Sequence, residues 1–158
     1  MGCSLTVKIL QDEASASRGA MNCSCYEAVV DTSFLLFVVD RRVDVIDVLL
    51  GSQVPICKIL IPLAVLRELQ ALAEAGKSAR AIKASIALKL VEQALKSHRG
   101  LVVVLEEEPP GGTTDDKVIA AAAGDLRILV TADKRMKRRA RELGVKAYLL
   151  AKSSLRLC

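Results

Sequence analysis

From Tyr26 onward, short runs rich in valine, isoleucine and leucine alternate with longer stretches of helical period, and this alternation limits the available folds more than any other feature. Strand-like runs occupy residues 27–31, 58–61, 101–105, 128–131 and 147–150. Between them, residues 43–50 repeat apolar side chains at helical spacing and stop at Gly51. Pro62 opens a helix with a stripe of Val65, Leu66, Leu69 and Leu72. Residues 80–96 place Ile82, Ile86, Leu90 and Leu95 on one stripe before Gly100. Strands separated by helices pair in parallel, and nearly continuous apolar strands are covered on both faces. The expected fold is therefore α/β, a three-layer α/β/α sandwich around a central parallel sheet. At 158 residues the chain fits one domain, and a domain of that size buries about 68–70% of its unfolded surface.

Residues 1–25 read differently. Residues 4–10 alternate apolar side chains like a strand, and residues 11–20 have linker composition. This segment is either an extra strand or an unstructured extension, with Met21 as an alternative start, and the domain proper spans 26–158. The chain begins without a charged segment leading into a long apolar one, so a cytoplasmic location is expected. The apolar runs fall well short of the roughly 20 residues that span a bilayer, so no membrane is expected. Cys3, Cys23, Cys25, Cys57 and Cys158 show no zinc-ligand spacing, which leaves room for one disulfide between distant cysteines.

Charge is distributed unevenly. Net charge is +5, and from Arg127 onward ten lysines and arginines face two acids, Asp133 and Glu142. In the segment 134–143, Met136, Ala140 and Leu143 form an apolar stripe, leaving Lys134, Arg135, Lys137, Arg138, Arg139 and Arg141 around the remainder. Such a helix suits a phosphate backbone. Aromatic residues make up only 3%, so base stacking can contribute little.

The acids sit at element boundaries. Asp31 ends the first strand, Asp133 follows the fourth, Asp115 and Asp116 open a helix after Thr113 and Thr114, and Glu68 flanks the apolar stripe of the helix begun by Pro62. Ligands of open parallel sheets bind beyond the carboxyl ends of the strands, where all of these acids can meet. Two carboxylates about 4 Å apart repel by roughly 4 kcal/mol at an effective dielectric near 20, so a buried cluster calls for a divalent cation. Each acid also has a plainer reading as a cap, a dipole partner or, for Glu68, a partner of Arg67 or Lys83.

Taken together, VVDTSFL, the helical Glu68, TTDDKVIAAAA and LVTADKRMKRRARELGV resemble a PIN-domain nuclease, most like the branch that processes small-subunit ribosomal RNA and its archaeal relatives, with the VapC-type toxins related. The resemblance covers roughly residues 27–150. It implies an endoribonuclease that uses Mg²⁺ or Mn²⁺ on single-stranded or structured RNA, leaving a 5′-phosphate and a 3′-hydroxyl. By position, Asp31, Glu68, Asp116 and Asp133 match the family's catalytic, metal-holding acids. Asp116 is preferred over Asp115 because of the DKVIAA spacing; Asp115 assists, and Ser33 and Thr131 match hydroxyls that orient carboxylates or contact a phosphate.

The role left open is RNA maturation or turnover, a toxin with its antitoxin, or a non-catalytic module of ribosome assembly; a homodimer and a pre-ribosomal partner are both compatible. GGTTDDK lacks the Lys-Ser/Thr ending of a nucleotide-binding loop, and DTS after the first strand is not the DxD of a phosphoaspartate phosphatase. His98, the only histidine, sits at the end of a long helix, where it is better placed to cap than to catalyse.

Overall fold

A computed structural model describes residues 24–151 and 155–158. The reading of the extension therefore lies almost wholly outside the described residues. Five strands, β1 (Tyr26–Val30), β2 (Ile56–Pro62), β3 (Val102–Leu105), β4 (Arg127–Thr131) and β5 (Ala147–Leu149), form one sheet in the order β3-β2-β1-β4-β5 with every neighbouring pair parallel. Helices α1 (Thr32–Arg41), α2 (Val45–Leu50), α3 (Leu63–Glu74), α4 (Ala79–Ser97), α5 (Thr114–Ala121) and α6 (Lys134–Glu142) complete the three layers. In the two central strands Ala28, Val29 and Val30, and Ile128, Leu129 and Val130, are all fully buried. Consecutive buried positions mean that both faces of the sheet are covered, as the uninterrupted apolar runs predict.

The strand order places the site. From β1 the chain steps outward through β2 to β3, then crosses back to lay β4 on the other flank of β1. The direction of winding thus reverses between β1 and β4, and a crevice opens beyond their carboxyl ends. β1 runs straight into Asp31, and β4 ends at Thr131.

Helix α1 is an element the sequence reading left unassigned. Its residues, TSFLLFVVDR, are rich in β-branched and aromatic side chains that favour strands, yet Phe34, Leu35 and Val38 are buried at helical spacing. Packing over the sheet outweighs the local preference. Asp31 caps the helix by accepting from the Phe34 N–H at 2.9 Å.

Two expected stripes differ. On α4 the buried residues are Ala81, Ala84, Ala87 and Val91, whereas Ile82, Ile86 and Leu90 are 55, 42 and 40% exposed. Small alanines let α4 lie close against its neighbours, principally α3, and the larger side chains turn outward. On α6, Met136 and Ala140 are buried as expected, but Leu143 lies past the last helical residue and is 63% exposed.

A disulfide joins Cys25 to Cys57 across the first residues of β1 and β2, spanning 32 positions. Closing a loop of that length removes unfolded-state entropy worth about 4 kcal/mol. Among the described residues no helix is long and apolar enough to cross a membrane.

Candidate active site

Asp31 forms the floor of the crevice. It is only 5% exposed, and its two oxygens accept from Ser33 Oγ at 2.9 and 3.1 Å, from the Phe34 amide at 2.9 Å and from Thr131 Oγ1 at 2.6 Å. These donors favour the charged form, but loss of water outweighs them and pushes the carboxyl up to about 6. The hydroxyls also tie the two strand ends together. Ser33 Oγ accepts from the Ala132 amide at 3.1 Å, and Thr131 Oγ1 accepts from the Asp133 amide at 3.0 Å. Both hydroxyls predicted to orient a carboxylate therefore serve Asp31.

The other acids lie nearer the surface. Asp133 is exposed and caps α6 through the Arg135 amide at 2.8 Å. Glu68 is half-buried on the second turn of α3. The two partners considered for it are engaged elsewhere, Arg67 with Glu108 and Lys83 with Asp40, each at 2.6 Å. Of these acids Asp31 alone is buried. The apolar runs enter the core, but each acid lies where its run leaves the core, and a charge without a partner stays in water when it can.

At the start of α5 the two neighbouring aspartates have different surroundings. Asp116 completes a capping box: Thr113 Oγ1 accepts from the Asp116 amide at 3.2 Å, and Asp116 Oδ2 accepts from the Thr113 amide at 3.0 Å. Its Oδ1 pairs with the Arg139 guanidinium. Gly112, at φ +81°, leaves room for it, because a Cβ there would lie 3.0 Å from the Asp116 Cβ. Asp115, although exposed, has its carboxyl pushed up, first by partial burial and then by the charges of Glu68 and Asp133, against a lowering influence from Arg139. Asp115 also raises Asp31. Asp115 is therefore the aspartate of the pair that shares a field with Asp31, Glu68 and Asp133.

The six cations of α6 also divide. Lys134, Arg135 and Arg138 have no acidic partner among the described residues. Arg139 is held by Asp116, and Arg141 donates to the Ala147 carbonyl at 2.9 and 3.2 Å, fastening β5. Lys137 is partly buried, and this, with Arg141 nearby, lowers its tendency to hold a proton. Glu108 was not anticipated. It accepts from Arg67 at 2.6 Å, faces Lys117 at 3.8 Å, and borders a groove of about 350 Å³ with Glu68, Gly112 and Thr114. Its place just beyond the carboxyl end of β3 is the same positional signal that singled out Asp31.

Among the described residues no three His, Cys, Asp or Glu side chains already close on a point that would hold a metal ion. The donor chemistry nevertheless fits one: the set is all carboxylate, the choice of hard divalent cations, and burial and mutual repulsion raise Asp31 and Asp115 in a way that a cation would reverse.

Comparison with known proteins identifies the fold and the family. Residues 28–152 match the sequence profile described as a PIN-like domain. The fold is similar to that of the PIN domain endonuclease Utp24, with a TM-score of 0.62 and 21% identity over 84% of this chain and 90% of that one. It is also similar to a domain of a functionally unknown protein from Methanocaldococcus jannaschii DSM 2661, with a TM-score of 0.60 and 25% identity over 82% of this chain and 94% of that one. No curated protein matches. With most of its length covered by the profile, and the acid-rimmed crevice between β1 and β4, the chain belongs to the PIN-like domain family.

Proposed function

We propose that the protein is an endoribonuclease that hydrolyses RNA phosphodiester bonds with Mg²⁺ or Mn²⁺, acting in RNA maturation or turnover. The observation that carries this reading is the buried Asp31 at the carboxyl ends of β1 and β4, fixed by two hydroxyls and an amide, with Asp115 acting on it and Glu68 and Asp133 acting in turn on Asp115. PIN domains are generally nucleases, and one structural relative is described as an endonuclease.

Asp31, Asp115 and Asp133 would hold the cation, with Glu68 at the rim. The sequence spacing favours Asp116 as the third acid, but the Arg139 guanidinium already neutralises it, whereas Asp31 accepts only from neutral donors, so Asp115 takes that role. A bound divalent cation supplies charge neutralisation, activation of the attacking water and stabilisation of the leaving oxygen. The protein does the rest. Ser33 and Thr131 aim the Asp31 oxygens, Glu68 accepts the proton of the attacking water, and Lys134, Arg135 and Arg138 hold the phosphate backbone beside the crevice.

The test is direct. Purified protein cleaves RNA with Mn²⁺ or Mg²⁺ present, stops on addition of EDTA, and loses cleavage in Asp31→Asn while keeping its thermal transition. Undiminished cleavage by Asp31→Asn would sink the proposal.

A further inference from the structure

Arg139 differs from the other cations of α6. One of its terminal nitrogens donates to Asp116 Oδ1, and about half of the side chain, 48%, remains exposed. A guanidinium carries five N–H donors in a rigid fork, so most stay available. Its anchor is itself fixed: Asp116 Oδ2 is bound to the Thr113 amide at 3.0 Å and lies against Gly112, where a Cβ would come within 3.1 Å of that oxygen. Through this pair Arg139 is tied to the residue that adjoins Asp115 at the start of α5. Lys134, Arg135 and Arg138 have no such anchor.

We propose that Arg139 is a catalytic residue, held by Asp116 so that its free N–H groups meet the scissile phosphate at the edge of the acidic crevice. This rests on the nuclease reading above and extends it to the stabilisation of transition-state charge. As the water oxygen bonds to phosphorus, its proton passes to the Glu68 carboxylate. The bond from phosphorus to the 3′ oxygen breaks, and that oxygen leaves with its electron pair and takes a proton from solvent. Negative charge gathers on the non-bridging oxygens in between, and a fixed guanidinium binds that charge better than it binds the ground state. Arg139 neither gains nor loses a proton. Asp116 is a positioning residue, acting through Arg139.

The experiment separates rate from affinity. Single-turnover cleavage is measured at saturating RNA with Mn²⁺, and RNA affinity is measured separately in EDTA by fluorescence anisotropy. Arg139→Gln should lower the rate about 100-fold while changing the affinity by less than about threefold, the loss expected of one phosphate contact among several. Arg139→Lys should fall between it and the wild type. Asp116→Asn should lower the rate in the same direction, and the double variant should be no slower than Arg139→Gln, because the two act as a unit. If Arg139→Gln loses its thermal transition, Arg139→Lys with a wild-type transition gives the reading, and a wild-type rate in it overturns the proposal. A wild-type rate in Arg139→Gln at saturating RNA, or a loss confined to affinity, overturns this inference and leaves the nuclease reading intact. A wild-type protein that does not cleave overturns both.

Discussion

Asp31 and Asp116 each accept a backbone amide at the start of a helix, Asp31 as the N-cap of α1 and Asp116 as the third residue of α5, yet their surroundings oppose one another. Asp31 lies under the surface with only neutral donors, and burial pushes its carboxyl up to about 6. Asp116 lies nearer to solvent with a guanidinium on one oxygen and an amide on the other. Its neighbour Asp115, which caps nothing, shares the field of the other acids. A capping position therefore says little about whether a carboxylate is available to a ligand. What decides is whether a cation already neutralises it and how much water it has lost.

Substitutions can break or sharpen this contrast. The largest effect is expected at Asp31. Asn can still cap α1, so Asp31→Asn should abolish cleavage, by about 1,000-fold or more, while metal-free thermal stability stays unchanged or rises as the desolvation cost disappears. A large fall in melting temperature would instead assign Asp31 a structural role. Next come the paired aspartates of α5. Asp115→Asn should weaken Mn²⁺ binding, measured by titration calorimetry, about tenfold, whereas Asp116→Asn should change it less. The reverse order would restore Asp116 as the metal ligand.

The pH response should be smaller but diagnostic. The Asp31 carboxyl is raised from 3.8 to about 6. Between these values the folded, metal-free protein binds a proton that the unfolded chain does not, so stability should fall as pH rises through this window and level off above it. Metal binding needs the ionised form and should run the other way, declining as pH drops through about 6. Thr131→Val removes the shortest donor to Asp31, so it should move the midpoint of that decline upward, as followed by Mn²⁺ titration across pH. The smallest effect is expected at Thr113→Ala, which removes the α5 cap at a cost of about 1 kcal/mol in denaturant unfolding.

Much of this molecule is legible in its residues, and the exceptions have physical causes. The five apolar runs and their helical separators announce a parallel sheet because backbone pairing and two-sided burial leave few alternatives. Helix α1 escaped because TSFLLFVV carries strand-forming side chains and its helical state comes from packing. The α4 stripe misled because apolar periodicity cannot say which of two faces is buried. There the alanine face gains the close contact and Ile82, Ile86 and Leu90 remain outside. Asp31 could be placed from sequence because it follows the last residue of a strand, and Ser33 and Thr131 through the family resemblance, although their mutual hydrogen bonds needed coordinates. The division of α6 into free, anchored and strand-fastening cations had no sequence signal, since the partners Asp116 and Ala147 lie on other elements.

The sequence alone determined the fold class, the edge of the sheet where acids would gather, and the basic character of the helix beside them, because these depend on periodicity, element boundaries and summed charge. Only the tertiary structure decided that β4 returns beside β1, that Asp31 alone of the described acids is buried, and that Asp116 pairs with Arg139 while Asp115 shares the field of Glu68 and Asp133. Those outcomes depend on which groups separated by tens of residues come within a few ångströms of one another, and at that range desolvation and charge pairing override what any residue's local sequence implies.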